Sequence, residues 1–503
     1  MPSVNLIDTS LRDGHQSLLA TRMSTEQCMR VLPMLVDSGY DILELWGGAT
    51  LDSCLRFTGD DPFERLEAFR ETCDSSGRKI QIRSLCRGQN LFGYNPYPDN
   101  LVYEFIKEAC RTGNDRVRIF DALNDHRNLI TAIMSTKTFN GHAEAALSYT
   151  TSPVHDQAHF VNFAKRCVDA GADSLAIKDM AGLLHPADAW TLIGALKESF
   201  PGVEITLHSH DTNGLAIASY VVGLMAGVSN LDTAYGPMAG ATSQPPAELI
   251  RYFADALGVE LNVNFDRASE IDNELRQIRT ELKEVDKNAD SFGNPWPSEP
   301  TDAMKAAINE AIELLGSKDH DQCTKACDVI EEKIMVPHGY PEIDKSQLES
   351  QIPGGMLSNL YNQLKDQGKL ELMPKVQEEI PRVRAAAGYL PLVTPTSQIV
   401  GTQAVFNVMK DNPYELVSEP FRDVIMGKYG KLPGRPDPEV VKKCSRGQAV
   451  YKGRPADLVD DLDLEKVYQE NGNLLKSHRD LLLLLLFQMP AKQFLQKREA
   501  ESA

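Results

Sequence analysis

The sequence predicts an α/β fold, a (β/α)8 TIM barrel followed by a mostly α-helical C-terminal domain. Three observations lead there. Short apolar runs alternate with helical patterns from residue 4 to about 257. Eight strand candidates, each followed by a helix, fill the roughly 250 residues such a barrel needs. Polar residues gather just past the ends of those strands, the rim where the βα loops of a barrel build its site. An open doubly wound sheet would carry fewer strands, and no glycine-rich nucleotide loop follows the first one.

The strand candidates are Asn5–Leu11, Asp41–Trp46, Ile80–Leu85, Arg116–Phe120, Ala143–Tyr149, Ser174–Ile177, Glu204–His208 and Asn230–Thr233. Between them, apolar residues recur at helical spacing, as in Glu26–Val36, Leu101–Cys110, Phe160–Ala170, Ala187–Ser199, Ala216–Met225 and Glu248–Leu257. Glycines at 39, 113, 171, 227 and 258 suit helix ends. Residues 262–285 read as a charged helical region leaving the barrel, so the first domain is placed at 1–285. A loop rich in Asn, Pro and Gly opens residues 286–345, an expected inserted or linking module with a helix near Thr301–Leu315. The remainder, 346–503, is expected to be a helical cap.

Within the insert, His320, Cys323 and Cys327 offer a zinc-like spacing, but no second ligand pair follows and a metal site is not expected there. The apolar run Leu481–Phe487 stops at Met489-Pro490, under half of the ~20 residues a membrane span requires, and reads as a buried helix. Strand pattern begins at once after Met1, with no room for a targeting peptide. A net charge of −19 and the lack of a basic, aromatic-rich stripe argue against nucleic acid or an anionic membrane as partner. Nine scattered cysteines suit reduced thiols in the cytoplasm.

The chemistry collects at the strand ends. His208 and His210 alternate in a strand, so both imidazoles can face one point. Asp13, after the first strand, adds a carboxylate, and the three form a ligand set for zinc, manganese or cobalt with a position left open. Taken alone, Asp13 equally suits a rim salt bridge with Arg12 or a helix N-cap. Lys178 ends the sixth strand. Desolvation would leave part of it as a neutral amine, able to add CO2 and become a carbamate ligand. Pairing with Asp179 or Asp211 is the alternative.

These residues stand within motifs that resemble the carboxyltransferase domain of biotin-dependent enzymes acting on pyruvate and oxaloacetate. They are Arg12-Asp13-Gly14-His15-Gln16-Ser17, Trp46-Gly47-Gly48-Ala49-Thr50, residues 87–94, Phe120-Asp121-Ala122-Leu123-Asn124-Asp125, residues 177–182, His208-Ser209-His210-Asp211-Thr212 and Ser243-Gln244-Pro245. Residues 351–359, 393–401 and the final leucine-rich helix continue the similarity, which spans nearly the whole chain apart from about 286–345. Pyruvate carboxylase, oxaloacetate decarboxylase α and the pyruvate-binding subunit of transcarboxylase are of this family.

The resemblance implies metal ligation by Asp13, His208, His210 and a carbamylated Lys178. It implies that Gln16 and Arg87 hold the keto or enolate oxygen of pyruvate, that Thr394 shuttles a proton, and that Tyr94, Ser397 and Gln398 lie near biotin. A guanidinium, an amide and a nearby cation would stabilise the enolate as its charge develops, and a hydroxyl in a dry pocket would relay the methyl proton. The sequence holds no Met-Lys-Met of a biotinyl domain and no phosphate loop. The biotin carrier is therefore expected on another chain, with a homodimer or larger assembly by analogy. A lyase or acyl-CoA Claisen synthase of the same barrel superfamily is the alternative reading; such enzymes need neither Lys178 nor Thr394.

Overall fold

The computed structural model describes residues 2–286, 288–289, 291–344, 356, 360–361, 363–365 and 368–502. The motif at 351–359, Met356 apart, lies outside the described residues. Eight parallel strands form the barrel: β1 (Ser3–Asp8), β2 (Ile42–Gly47), β3 (Gln81–Cys86), β4 (Arg116–Phe120), β5 (His142–Ser148), β6 (Ser174–Asp179), β7 (Glu204–Ser209) and β8 (Asn230–Thr233). β1 pairs with β8 in the register Asn5↔Asn230 and with β2 at Asp8↔Leu43, so the sheet closes on itself.

A helix follows each strand: α1 (Thr25–Asp37), α2 (Pro62–Ser75), α3 (Asp99–Thr112), α4 (Ile130–Thr138), α5 (Gln157–Asp169), α6 (Pro186–Ser199), α7 (Ala216–Ala226) and α8 (Ala247–Leu257). Polar side chains set the starts of several. Ser24 and Gln27 form a reciprocal capping box on α1, and Asp61 caps α2 just ahead of its Pro62. The strand pattern overran in one place. β1 ends at Asp8, not Leu11, because Ser10–Gly14 winds into a π-helical turn closed by Gly14 N donating to Thr9 O at 3.0 Å.

The stretch after the barrel is packed onto it. Helices α9 (Ala268–Glu281), α10 (Asp302–Gly316) and α11 (His320–Ile330) share the barrel's hydrophobic core through Ile271, Leu275, Ile308, Leu315, Cys323 and Ala326. Cys323 is fully buried while His320 stacks outside on His185 at 3.9 Å, so these groups face different environments. Helices α12 (Met373–Ala386), α13 (Thr396–Met409), α14 (Glu419–Ile425) and α15 (Pro438–Ser445) form a cap with a core of its own, built on Val376, Ile380, Val400, Ala404, Phe421 and Val424. Leu123, from the loop after β4, is inserted into that core.

The chain then returns to the barrel. α16 (His478–Phe487) brings Leu482, Leu483, Leu486 and Phe487 into the barrel core, and α17 (Met489–Ser502) adds Ala491. Among the described residues, no helix is long and apolar enough to cross a membrane.

Candidate active site

The π-helical turn carries Asp13 to the barrel mouth beside the end of β7. β7 stops at Ser209, but His210 keeps an extended backbone (φ −85°, ψ 140°), so it still faces the same side as His208. His208 Nε2 and His210 Nε2 lie 3.3 Å apart, and each is 3.3 Å from Asp13 Oδ2. A tetrahedral ion with bonds of about 2.0–2.1 Å needs ligand atoms about 3.3–3.4 Å apart, so the three atoms form one face of such a site.

Outer partners fix the orientation. His208 Nδ1 meets Asp232 Oδ2 at 2.8 Å and His210 Nδ1 meets Thr242 O at 2.5 Å, which directs both Nε2 lone pairs inward. Asp13 accepts from Gln244 Nε2 at 2.8 Å and Arg12 Nη1 at 3.0 Å. Burial alone would raise its carboxyl, but Arg12 and the two histidines hold it well below the usual range. Asp13, His208 and His210 are the one group with metal-ligand geometry among the described residues.

Lys178 Nζ lies 3.0 Å from His208 Nε2 and is pushed down to about 8 by burial. Neither proposed ion-pair partner claims it. Asp179 accepts instead from the backbone of Leu183 and Leu184 and from Ser209 Oγ, and burial raises Asp211 to about 7.

Below the ligands, the barrel interior is ionic where apolar layers are the rule. Glu44, Arg83, Arg118, Glu144 and Asp232 are fully buried on five strands. Arg12 pairs with Glu44, Arg83 bridges Glu44 and Asp232 at 2.8 Å each, and Arg118 binds Glu144 at 2.8 Å and contacts Asp232. Such charges persist in a low-dielectric interior only when each is paired. Against the upward push of burial, Arg118 and Arg83 hold Glu144 down to about 2.

At the strand-end rim opens a cavity of about 450 Å3 whose lining includes Gln16, Arg87, Tyr94 and Thr394. Gln16 Oε1 accepts from Ala49 N at 3.0 Å, and its amide nitrogen makes no protein hydrogen bond among the described residues. The glycines of the Trp-Gly-Gly motif allow this approach. At Gly47 (φ +90°) a Cβ would lie 2.3 Å from Leu85 O, and at Gly48 (φ +58°) 2.7 Å from Gln16 Oε1. Arg87 Nη1 donates to Gly93 O at 2.5 Å, while its Nε is buried without a partner. Burial lowers its pKa from the ordinary value. Thr394 occupies the turn ahead of α13, held by Thr396 Oγ1 donating to Val393 O at 2.7 Å, and it reaches the cavity from the cap.

Ser397 and Gln398 stand in the first turn of α13 and are not part of the cavity wall. The wall includes residues the sequence reading did not assign: Met180, Phe92 and the Leu486–Gln488 segment of the C-terminal helices. Phe487 stacks on Phe92 at 5.9 Å and Tyr97 Oη donates to Leu486 O at 3.0 Å, clamping the loop that carries Arg87 and Tyr94. Gln244, Asp232 and Thr242 were likewise unassigned, although Ser243-Gln244-Pro245 stands out as a motif.

A parallel barrel with an Asp-His-His centre under a helical cap defines a class of barrel enzyme built around a candidate metal site. Comparison with known proteins narrows it. A family profile described as "Conserved carboxylase domain" matches residues 348–503, and one described as "HMGL-like" matches 100–275. The chain is 37% identical to a pyruvate carboxylase subunit of Methanocaldococcus jannaschii over 98% of its own length and 77% of that protein. It is also 37% identical to the methylmalonyl-CoA carboxyltransferase 5S subunit of Propionibacterium freudenreichii subsp. shermanii, over 98% of this chain and 88% of that one. The carboxyl transferase domain of Rhizobium etli pyruvate carboxylase with pyruvate and biocytin superposes with a TM-score of 0.76 at 28% identity, covering 99% of this chain and 78% of that chain. The chain belongs to the carboxyltransferase family of biotin-dependent pyruvate carboxylases and transcarboxylase 5S subunits.

Proposed function

We propose that this chain moves a carboxyl group between N-carboxybiotin, borne by a carrier on another chain, and pyruvate or oxaloacetate. The observation that carries this reading is the single cavity shared by Gln16, Arg87, Tyr94 and Thr394, at the barrel rim that also carries the Asp13-His208-His210 centre. The relatives' names, a pyruvate carboxylase subunit and a transcarboxylase subunit, support it.

The Arg87 guanidinium, which lines the cavity, and the free amide nitrogen of Gln16 suit the keto oxygen of a 2-oxo acid, and both interactions strengthen as that oxygen gains enolate charge. Leu85, Phe92, Phe120, Met180 and Phe487 exclude water around it. The hydroxyl of Thr394 takes the methyl proton and passes it toward the biotin nitrogen, with Tyr94 at the biotin side and Ser397-Gln398 supporting the turn.

Asp13, His208, His210 and Lys178 would hold a divalent cation (zinc, manganese or cobalt), which would supply Lewis-acid polarisation of the substrate oxygen. Once a divalent ion is bound, charge balance favours the carbamate. The buried cluster holds Arg12, Arg83 and Arg118 against Asp13, Glu44, Glu144 and Asp232, an excess of one negative charge while Lys178 is neutral. Carbamylation makes the excess two, which one divalent ion neutralises. The division into a barrel (1–285), a linking module packed on it (286–345) and a helical C-terminal region (346–503) whose last two helices return to the barrel, a cytoplasmic setting consistent with nine free thiols, and a homodimer complete the reading.

The test is oxaloacetate decarboxylation by the isolated chain with free biotin, alongside the metal content of wild type and Lys178→Ala. Biotin-stimulated pyruvate formation with metal in the wild type and reduced metal in the variant is the expected result. A folded, metal-loaded protein that ignores biotin would exclude the carboxyltransfer.

A further inference from the structure

A second cleft, of about 340 Å3, lies on the seam between barrel and cap, away from the catalytic cavity. Its size falls at the small end of ligand pockets. Three stretches bring cations to it: Arg127 from the turn after β4, Arg166 from α5 and Lys431 from the cap. The carboxylate among its lining residues, Asp125, is already saturated. It accepts from Arg127 Nε at 2.9 Å and from Lys431 N at 2.7 Å. Arg127 spends its remaining reach on the carbonyls of Lys452 and Gly453, at 2.9 and 3.0 Å.

The Arg166 guanidinium and the Lys431 ammonium are left without a carboxylate among the described residues. His126 and His159 line the same cleft, and burial lowers both, with Arg166 pressing further on His126 and Lys431 on His159. The imidazoles therefore add neutral hydrogen-bonding groups beside two uncompensated cations. Leu123, Phe163 and Leu432 supply an apolar side suited to a short carbon skeleton.

We infer that this cleft binds a small dianion, a dicarboxylate or a phosphate compound, between Arg166 of the barrel and Lys431 of the cap. Its consequence lies in the joint it spans. The backbone of Lys431 is bonded to Asp125, and the carbonyl of Tyr429, two residues earlier, accepts from Asn128 Nδ2 at 2.9 Å, so this segment docks the cap on the barrel. An anion bridging the two cations tightens that docking, and with it the body that carries Thr394.

The inference does not depend on the carboxyltransfer reading, because its test needs no turnover. The full chain is titrated calorimetrically with succinate and, separately, with inorganic phosphate, as wild type, Arg166→Ala and Lys431→Ala. Both substituted side chains are exposed and lie outside the catalytic cavity. The expected result is one site per chain for at least one probe, weakened tenfold or more in each variant; the preferred probe identifies the source of the anion. Absence of binding by both probes overturns the site. So does binding that both variants retain unchanged, which would place the anion elsewhere, such as the catalytic cavity.

Discussion

The barrel floor and the cap meet at the same cavity but are built on opposite plans. The groups that orient Asp13, His208 and His210 belong to the same barrel, from Asp232 and Thr242 down to the Arg118–Glu144 pair. The cap delivers Thr394 from a hydrophobic core of its own, joined to the barrel by the inserted Leu123 and by polar ties. Arg384 Nη2 donates to Thr150 Oγ1 at 2.8 Å and to Thr151 O at 2.9 Å, and Asn128 and Asp125 bind residues 429 and 431. The floor is preorganised and the roof is assembled. A metal site tolerates little displacement of its ligands, whereas a proton shuttle must admit and release its partners.

Substitutions on either side of the cavity test that division. His208→Ala should have the largest effect, removing bound metal and lowering carboxyltransfer by about a thousandfold or more, read by metal analysis and steady-state assay. Thr394→Ala should lower turnover by about a hundredfold to a thousandfold while metal content stays at wild-type level; loss of metal in this variant would break the comparison. Asp232→Asn, with no ligand atom altered, should weaken metal affinity by about 10–100-fold in a chelator competition. Phe487→Ala should destabilise by about 3–5 kcal/mol in denaturant unfolding, raising KM more than it lowers turnover, since the Arg87 loop loses its clamp.

A pH dependence sharpens the contrast further. Burial depresses His155 from the ordinary 6.5 to about 3, beside Arg384 at the barrel–cap joint. The unfolded chain therefore binds the extra proton between those values, so stability is full above pH 6.5 and falls as pH drops toward 3. The loss is about 1.4 kcal/mol per pH unit in that window. His155→Leu should flatten the acid limb of the stability curve by that slope, provided its packing is kept. The cap helices α12–α15 carry no histidine and should not share this dependence.

Much of this arrangement was legible in the sequence, for identifiable reasons. The alternation of apolar runs and helical patterns marks all eight strands, and reading the residues just past their ends brings out Asp13, Lys178 and the histidine pair. The ionic layer was also written there, as charges within the strand segments: Glu44, Arg83, Arg118, Glu144 and Asp232. Each looks like an interruption until the barrel closes and pairs it with the others. The cavity wall at Leu486–Gln488 had no such local trace, because its partners Phe92 and Tyr97 lie in the third βα loop, nearly the whole chain away. A leucine-rich helix announces burial, not what it is buried against.

That long reach has a consequence in time. The ligand set is complete once His210 has been made, but the wall that shapes the cavity waits for Phe487 and Gln488. At roughly 5–20 residues per second, synthesis separates the two by roughly a quarter of a minute to a minute. The Tyr97–Leu486 bond, spanning 389 residues, is thus a late event. A chain interrupted before α16 would carry the Asp13, His208 and His210 side chains beside an unfinished pocket.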